Sequence, residues 1–429
     1  LPIFISYIGM KTQEIAIKGK SKIDVTLSDD AKALDEVVVI GYGTAKRKDI
    51  TGSVASVNSE TLAAIPVASA TEALQGKMAG VQITTTEGSP DAQMSIRVRG
   101  GGSITQSNEP LFIVDGFPVE SISDIPPTDI ESIDVLKDAS STAIYGARGA
   151  NGVIIVTTKS GKEGKVSVSY NAYYAWKKVA KTLDVLSASD YTKWQYELAQ
   201  LTNKNDDYIK YFGNYQDLDM YDNVATNDWQ DLTFGRTGHS FNHNLSINGG
   251  SDKFKYSFSY SHIDDKAIMQ MSDYARDNLN LKLNHKPLKN VSLDFSARFS
   301  KTKINGGGSN DANSSLNTDK RLKYSLLYTP YPVPGISDAL NADEEDANSL
   351  LINPLISLRD NDTRKERINY NLAGSITWEI IKDLKLKAEV GYDDYRNNAD
   401  RYYGVTTYYV RNNVDDEDKS KPAISFTRG

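Results

Sequence analysis

After Lys165 the chain sets an apolar side chain at every second position, over and over, and a period of two is the period of sheet. Val166, Val168, Tyr170, Ala172, Tyr174 and Trp176 share one side of an extended segment, while Ser167, Ser169 and Asn171 share the other. Six more segments repeat the pattern: Phe241-Leu245-Ile247, Phe254-Tyr256-Phe258-Tyr260, Leu279-Leu281-Leu283, Val291-Leu293-Phe295-Ala297-Phe299, Ile368-Tyr370-Leu372-Ile376-Trp378 and Leu384-Leu386-Ala388-Val390-Tyr392. An eighth strand is expected at Tyr402 to Arg411. The opposite faces carry Ser, Asn, Lys, Asp, Glu and Thr. At ~3.3 Å per residue and a tilt of ~45°, about 9–11 residues cross the ~25 Å apolar band of an outer-membrane barrel. Tyr and Trp fall near several segment ends, where interfacial girdles need them.

Alternation suits a soluble sandwich equally well, so the connections must decide. Strand 166–176 leads into a connection of about 60 residues, and a second of similar length covers 303 to 365. Between them lie a turn at Gly249-Gly-Ser-Asp252, a medium loop at 264–275 and a tight turn at Pro287-Leu-Lys-Asn290. Another tight turn follows at Lys382-Asp383. Long and short connections thus alternate, as the outer loops and inner turns of a transmembrane barrel do. A sandwich gives no reason for that regularity. No run approaches the ~18 apolar residues of a membrane-spanning helix, which leaves a barrel open.

Residues 95 to 161 have a different character. Leu111 to Val114, Ile133 to Leu136 and Val153 to Val156 are short apolar runs bounded by Gly, Pro, Asp or Ser, and each reads as a buried strand. Asp138-Ala-Ser-Ser-Thr-Ala-Ile-Tyr starts like a helix of about two turns, which Gly146, Gly149 and Gly152 then break. Further strands are expected at Gly52 to Val57 and Val81 to Thr85, with a helix from Ala70 to Met78. Arg97 and Arg99 lie two apart on one strand face, and buried arginines would need Asp115, Glu131 or Asp134 as partners.

VRGGGSITQSNEPLFIVDGFP (98–118) followed by DIESIDVLKDASSTAIYGARGANGVIIVTTKSG (129–161) resembles the plug domain of TonB-dependent outer-membrane transporters, and within them the SusC-like branch. NDWQDLTFGRTGHSFNHNLSINGGSDKFKYSFSYSH (227–262) is similar to the same family. The resemblance implies an α+β plug inside a large antiparallel transmembrane β-barrel of ~22 strands. The implied domains are a remnant of a carboxypeptidase-regulatory-like β-sandwich (1–34), a TonB box and linker (35–44), the plug (45–162) and the leading part of the barrel (163–429). Leu1-Pro-Ile-Phe-Ile and Phe426-Thr-Arg-Gly429 both sit in mid-pattern, so a fragment of a longer protein is the expectation.

The same resemblance makes Asp35, Glu36, Val37, Val38, Val39 and Ile40 the TonB box, an extended segment that adds as a strand to the periplasmic TonB protein. Arg97, Arg99, Asp115, Gly116, Gly146, Gly149 and Gly152 are the expected structural residues of the plug, and Ser103, Gln106 and Asn108 the expected substrate contacts of its apical loop. Implied partners are TonB with ExbB and ExbD, a SusD-like surface lipoprotein, the lipid bilayer and an oligosaccharide or peptide substrate. The function implied is active nutrient import at the bacterial outer membrane. Alternatives are a receptor signalling to a periplasmic anti-sigma factor and, from the residues alone, a soluble all-β adhesin.

Other chemistry finds little support. The net charge of −7 and the lack of any basic cluster with interleaved aromatics argue against nucleic acid. Gly41-Tyr-Gly43 follows an apolar run, but Lys46 stands where a dinucleotide fingerprint needs its third glycine. Gly161-Lys162 is followed by Glu163 instead of the Ser or Thr of a phosphate loop, and no nucleophile elbow occurs. With no cysteine there are no thiolate metal sites. His239, His243, His262 and His285 read as polar strand positions, and Asp415-Asp-Glu-Asp418 as a solvated loop, with calcium the alternative there. An enzyme is not expected, and no cofactor.

Overall fold

The computed structural model describes residues 107–306, 321–334, 353–382, 384–407 and 421–428, with 54–63, 67–85, 94–100, four short strands nearer the N-terminus and the single residues 25 and 410. The chain divides into two compact units, Leu1–Thr84 with Met94–Ser160, and Thr85–Gln93 with Gly161–Gly429.

In the first unit β1 (Pro2–Ile5) pairs with β2 (Gln13–Ala16), and β3 (Val37–Ile40) with β4 (Gly43–Lys46). Along the chain follow β5 (Val54–Asn58), β6 (Val81–Thr85), β7 (Met94–Val98), β8 (Leu111–Val114), β9 (Phe117–Val119), β10 (Ile130–Leu136) and β11 (Val153–Thr158). β6 and β7 form a separate pair, while the main sheet runs β5-β10-β11-β8-β9. Its β8 and β11 are parallel and the other pairs antiparallel. The three apolar runs are β8, the end of β10 and β11. Ile133, Val135, Ile154 and Val156 pack into one cluster, and Leu136, Val153 and Ile155 into another on the opposite face, none more than 1% exposed. A strand buried on both faces has few polar alternate positions, which is why β8 and the Val153 to Val156 run of β11 are continuously apolar; in β10 buried Asp134 is the exception, held by hydrogen bonds from Ser56 and Ser132. Each such side chain contributes about 1.5–3 kcal/mol by leaving water.

Three expectations change here. The helix after Asp138 is a single α-turn, Ala139–Thr142, that tightens into a 3₁₀ stretch, Ala143–Gly149, where Gly146 takes φ +60°, ψ −146°. Helix Ala70–Leu74 likewise stops short of Met78. Arg97 and Arg99 are exposed, not buried. β7 alternates around buried Ile96 and Val98, so Arg97 falls on its wet side, where a guanidinium keeps its hydration. Arg99 lies past the strand end at φ +56° and pairs with Asp138 at 2.5 Å. Asp115, Glu131 and Asp134 are not its partner.

The second unit is one antiparallel sheet in which every strand pairs with its neighbours in sequence: β12 (Gly164–Lys177), β13 (Gly238–Gly250), β14 (Phe254–Lys266), β15 (Asp273–Leu288), β16 (Val291–Asn305), β17 (Asn361–Ile381), β18 (Leu384–Tyr403) and β19 (Ala423–Arg428). Burial is inverted relative to a sandwich. Ser257, Ser259 and Ser261 are buried, whereas Tyr170 is 61% and Phe295 42% exposed and Phe258 is half-buried. The apolar alternate residues therefore form an outer face and the polar ones an inner face, the arrangement of a barrel wall.

The eighth strand is β19, not 402–411. β18 runs on to Tyr403, and the chain then turns at Gly404 to Thr407, where Thr406 donates from its N–H and hydroxyl to the Asp360 carboxylate. The loop after β14 is also tighter than 264–275, because strand pairing persists to Lys266↔Asp273. In the first long connection Ser187 caps helix Ala188–Thr202, its Oγ accepting from the Asp190 N–H at 3.1 Å and donating to the Asp190 carboxylate at 2.8 Å.

Candidate functional site

In the first unit the residues with special backbone geometry surround the β8–β11 pair. Asp115 (φ +50°) and Gly116 (φ +94°) make the turn from β8 to β9. The Asp115 carboxylate accepts from the Thr158 N–H at 2.9 Å and hydroxyl at 2.6 Å, tying that turn to the end of β11. Gly152 sits at φ +92°, and a Cβ there would come within 3.0 Å of Val98. A Cβ on Gly149 would meet the Thr142 carbonyl at 2.9 Å. Both positions are closed to any larger residue. Asp134, buried between strands, accepts hydroxyl hydrogens from Ser56 and Ser132.

Val37 to Ile40 form β3, and within its two-stranded sheet β3 has one partner, β4. Asp35 and Glu36 lie outside the described residues, as do Ser103, Gln106 and the 415–418 acidic run. Asn108 is half-buried, and on either side of it the carbonyls of Ser107 and Glu109 accept from Asn151 Nδ2 at 3.0 and 3.4 Å.

The inner face of the sheet is polar across its width. Ser257 Oγ donates to Asn248 at 2.7 Å, Asn278 Nδ2 to Ser261 at 3.2 Å, and Asn371 Nδ2 to Asp393 at 3.1 Å. Lys177 pairs with buried Asp265 at 2.5 Å. Arg276, 2% exposed, lies across from Thr302, which lies across from Arg367. Arg298 stands two inner-face rows lower, between Asn280 and Asn371. Sequence reading treated these only as alternating polar positions. Their signal was the choice of arginine at the alternate positions, whose convergence depends on register.

The outer face holds the histidines. Tyr170 OH meets His243 Nδ1 at 2.5 Å, Tyr174 OH meets His239 Nδ1 at 2.8 Å, and His262 Nδ1 meets Asp277 at 2.8 Å. Among the described residues no three His, Cys, Asp or Glu side chains group as a metal would need.

Beyond the strands, the two long connections build an aromatic module together. Tyr191, Tyr208, Phe212 and Tyr331 form its core, with Tyr331 OH and Thr192 Oγ1 at 2.5 Å. Burial raises the phenols of Tyr191, Tyr208, Tyr221 and Tyr331 above their usual range. Beside this core lies a largely apolar cleft of about 400 Å³, bordered by Tyr191, Trp194, Trp229, Leu327, Tyr328 and Pro330. Only helix Ala188–Thr202 was legible in the sequence; the contribution of residues 321–334 was not.

Residues 46–153 match the family model of the TonB-dependent receptor plug domain. The chain is 40% identical over 284 residues to TonB-dependent receptor SusC of Bacteroides thetaiotaomicron, covering 64% of this chain and 26% of that protein. It is 34% identical over 414 residues to TonB-dependent receptor P3 of Formosa agariphila, covering 94% of this chain and 38% of the relative. Among solved structures, the RagAB peptide importer in its open-open state superposes with a TM-score of 0.66 at 28% identity, over 86% of this chain and 43% of that one. The chain thus spans less than half the length of these relatives.

Proposed function

The chain belongs to the SusC-like TonB-dependent receptors, β-barrel proteins of the bacterial outer membrane, and from that premise we propose that it serves active import of oligosaccharides or oligopeptides. The observation that carries this reading is the inverted sheet, apolar outside and polar inside, in a chain that also holds a densely packed plug unit. A wall of that kind encloses a wet path, and a compact unit filling the path would stop free diffusion. Import then needs work on the plug.

β3 is the handle we assign for that work. A strand with one partner keeps its other edge for a strand of TonB, and main-chain hydrogen bonds along Val37 to Ile40 would transmit a pull. ExbB and ExbD would power the pull from the inner membrane, so the chain needs no nucleotide. The Asp115–Thr158 contact, the Arg99–Asp138 pair, the left-handed turn at Gly146 and the tight glycines at 149 and 152 would hold the plug in shape until then. A SusD-like surface lipoprotein would capture substrate outside, and Ser103, Gln106 and Asn108 would meet it at the plug. SusC and the RagAB importer support a paired transporter of this kind.

Replacing Val38 by Pro removes one donor and blocks strand addition. Uptake should fall to the level of a strain lacking TonB, while the heat-modifiable band of the folded barrel on a gel stays unchanged. Undiminished uptake would remove β3 from the coupling role.

A further inference from the structure

The cleft beside the aromatic module is uncharged, yet the two connections that wall it hold the whole negative excess of the chain. Among the described residues no Asp, Glu, Lys, Arg or His borders it. Trp194 is 48% and Leu327 50% exposed, so two of its walls are open to solvent. Residues 178–237, the first connection, carry ten acidic and six basic side chains, and residues 306–360, the second, carry eight and four. Each connection is therefore at −4, and together they exceed the −7 of the entire chain. All ten acidic side chains of the first connection are exposed.

Most polar groups at the cleft already have partners. Trp229 Nε1 donates to the Thr329 carbonyl at 2.8 Å, Gln195 is hydrogen-bonded to the Tyr191 phenol, and Ser325 is engaged as well. Half-buried Asn227 donates from its N–H to the Pro330 carbonyl at 2.6 Å, which ties the two connections together. Its carboxamide makes no hydrogen bond among the described residues. A sugar ring would bring several hydroxyls to this one open group, and hydroxyls left without partners count against binding. An apolar side chain needs no such partner and leaves water on entering. The volume of about 400 Å³ admits one bulky side chain with its backbone, and a carboxamide matches the donor and acceptor of a single peptide unit.

We propose that the cleft between the two long connections is a capture site for a cationic oligopeptide, which seats one bulky apolar side chain against Trp194 and Leu327 while its Lys or Arg residues meet the acidic surface around it. The site rests on the transporter reading for its purpose, and it selects oligopeptides from the two cargo classes named there. Charge draws the peptide in, more strongly at low ionic strength, and the cleft holds it.

The test is calorimetric titration of the full-length protein in detergent at two salt concentrations. The probes are the hexapeptide Lys-Lys-Gly-Phe-Gly-Lys, its analogues with alanine for phenylalanine and with glutamate for lysine, and maltohexaose. The parent peptide should bind about tenfold more tightly than each of the others, and added salt should weaken it. Trp194→Ala and, from the opposite connection, Leu327→Ala should each erase the preference for phenylalanine over alanine and keep that for lysine over glutamate. Leu201→Ala, on the same helix as Trp194 but outside the cleft, should change neither. Heat-modifiability on a gel confirms that each variant is folded. Equal binding of the parent and alanine peptides, tighter binding of maltohexaose, or a phenylalanine preference unmoved by both cleft variants would overturn the assignment. So would loss of a SusD-like lipoprotein from the purified complex on Trp194→Ala with peptide affinity unchanged, because the cleft would then belong to a protein partner. The Val38→Pro variant should bind the peptide normally, so failure of the coupling proposal leaves this readout standing. Absent peptide binding beside intact TonB-dependent uptake would remove the site and leave the transporter reading in place.

Discussion

In the first unit Ile133, Leu136, Ile154 and Ile155 leave water, and the sheet they form is apolar on both faces. In the second, Asn244, Ser261, Arg276 and Asn278 are buried while Val168, Tyr174 and Trp176 stay on the outside. Both are sheets made by one chain, and the same residue types change sides between them. What differs is the medium each face meets: a dry core on both sides in one unit, and in the other lipid outside and a polar, hydrogen-bonded interior. Sequence period follows that medium, continuously apolar in β8 and most of β11 and alternating along the apolar rows from β12 onward.

The strongest way to break this contrast is to shorten a side chain in the dry core. Ile154→Ala is expected to cost about 2–5 kcal/mol, seen as a lower urea midpoint for protease resistance of the segment 54–158. A loss below ~1 kcal/mol would mean that this core is looser than its burial says. Next in size is a charge set against lipid. Phe295→Arg, near the middle of the outer apolar row of β16, should cost about 2–4 kcal/mol in urea titrations of folding into phospholipid vesicles. Ser292→Arg, on the other face of that strand, should cost clearly less, and equal losses would erase the distinction between faces. The smallest effect sharpens the comparison by leaving both sheets alone. Ser187→Ala removes a helix cap in the long connection and should cost about 1 kcal/mol, read as faster hydrogen exchange at the Asp190 amide with the strands unaffected.

Local patterns carried most of this architecture in the sequence. Alternation located the strands from β12 to β18, and Ser187-Ala-Ser-Asp190 marked its helix through a cap that acts within four residues. Pairings between distant positions were not legible. Arg99 meets Asp138, at a helix start whose carboxylate makes no capping hydrogen bond, and nothing local to either residue says so. β19 was missed because Tyr402 to Arg411 continues the aromatic run of β18, whereas the turn at Gly404 depends on the distant Asp360 carboxylate. The arginines of the inner face are each unremarkable in their own strand and become a cluster only through the register of three.

β17 and β18 are 21 and 20 residues long, and their outer apolar rows end at Ile368 and Tyr392. At ~3.3 Å per residue and a tilt of ~45°, 21 residues rise roughly 49 Å, about twice the height of an outer-membrane apolar band. The surplus carries both strands past the apolar band, where the outer face gives up its apolar row for Glu366, Asp394, Arg396 and Asp400, so this stretch of the wall stands in water and not in lipid.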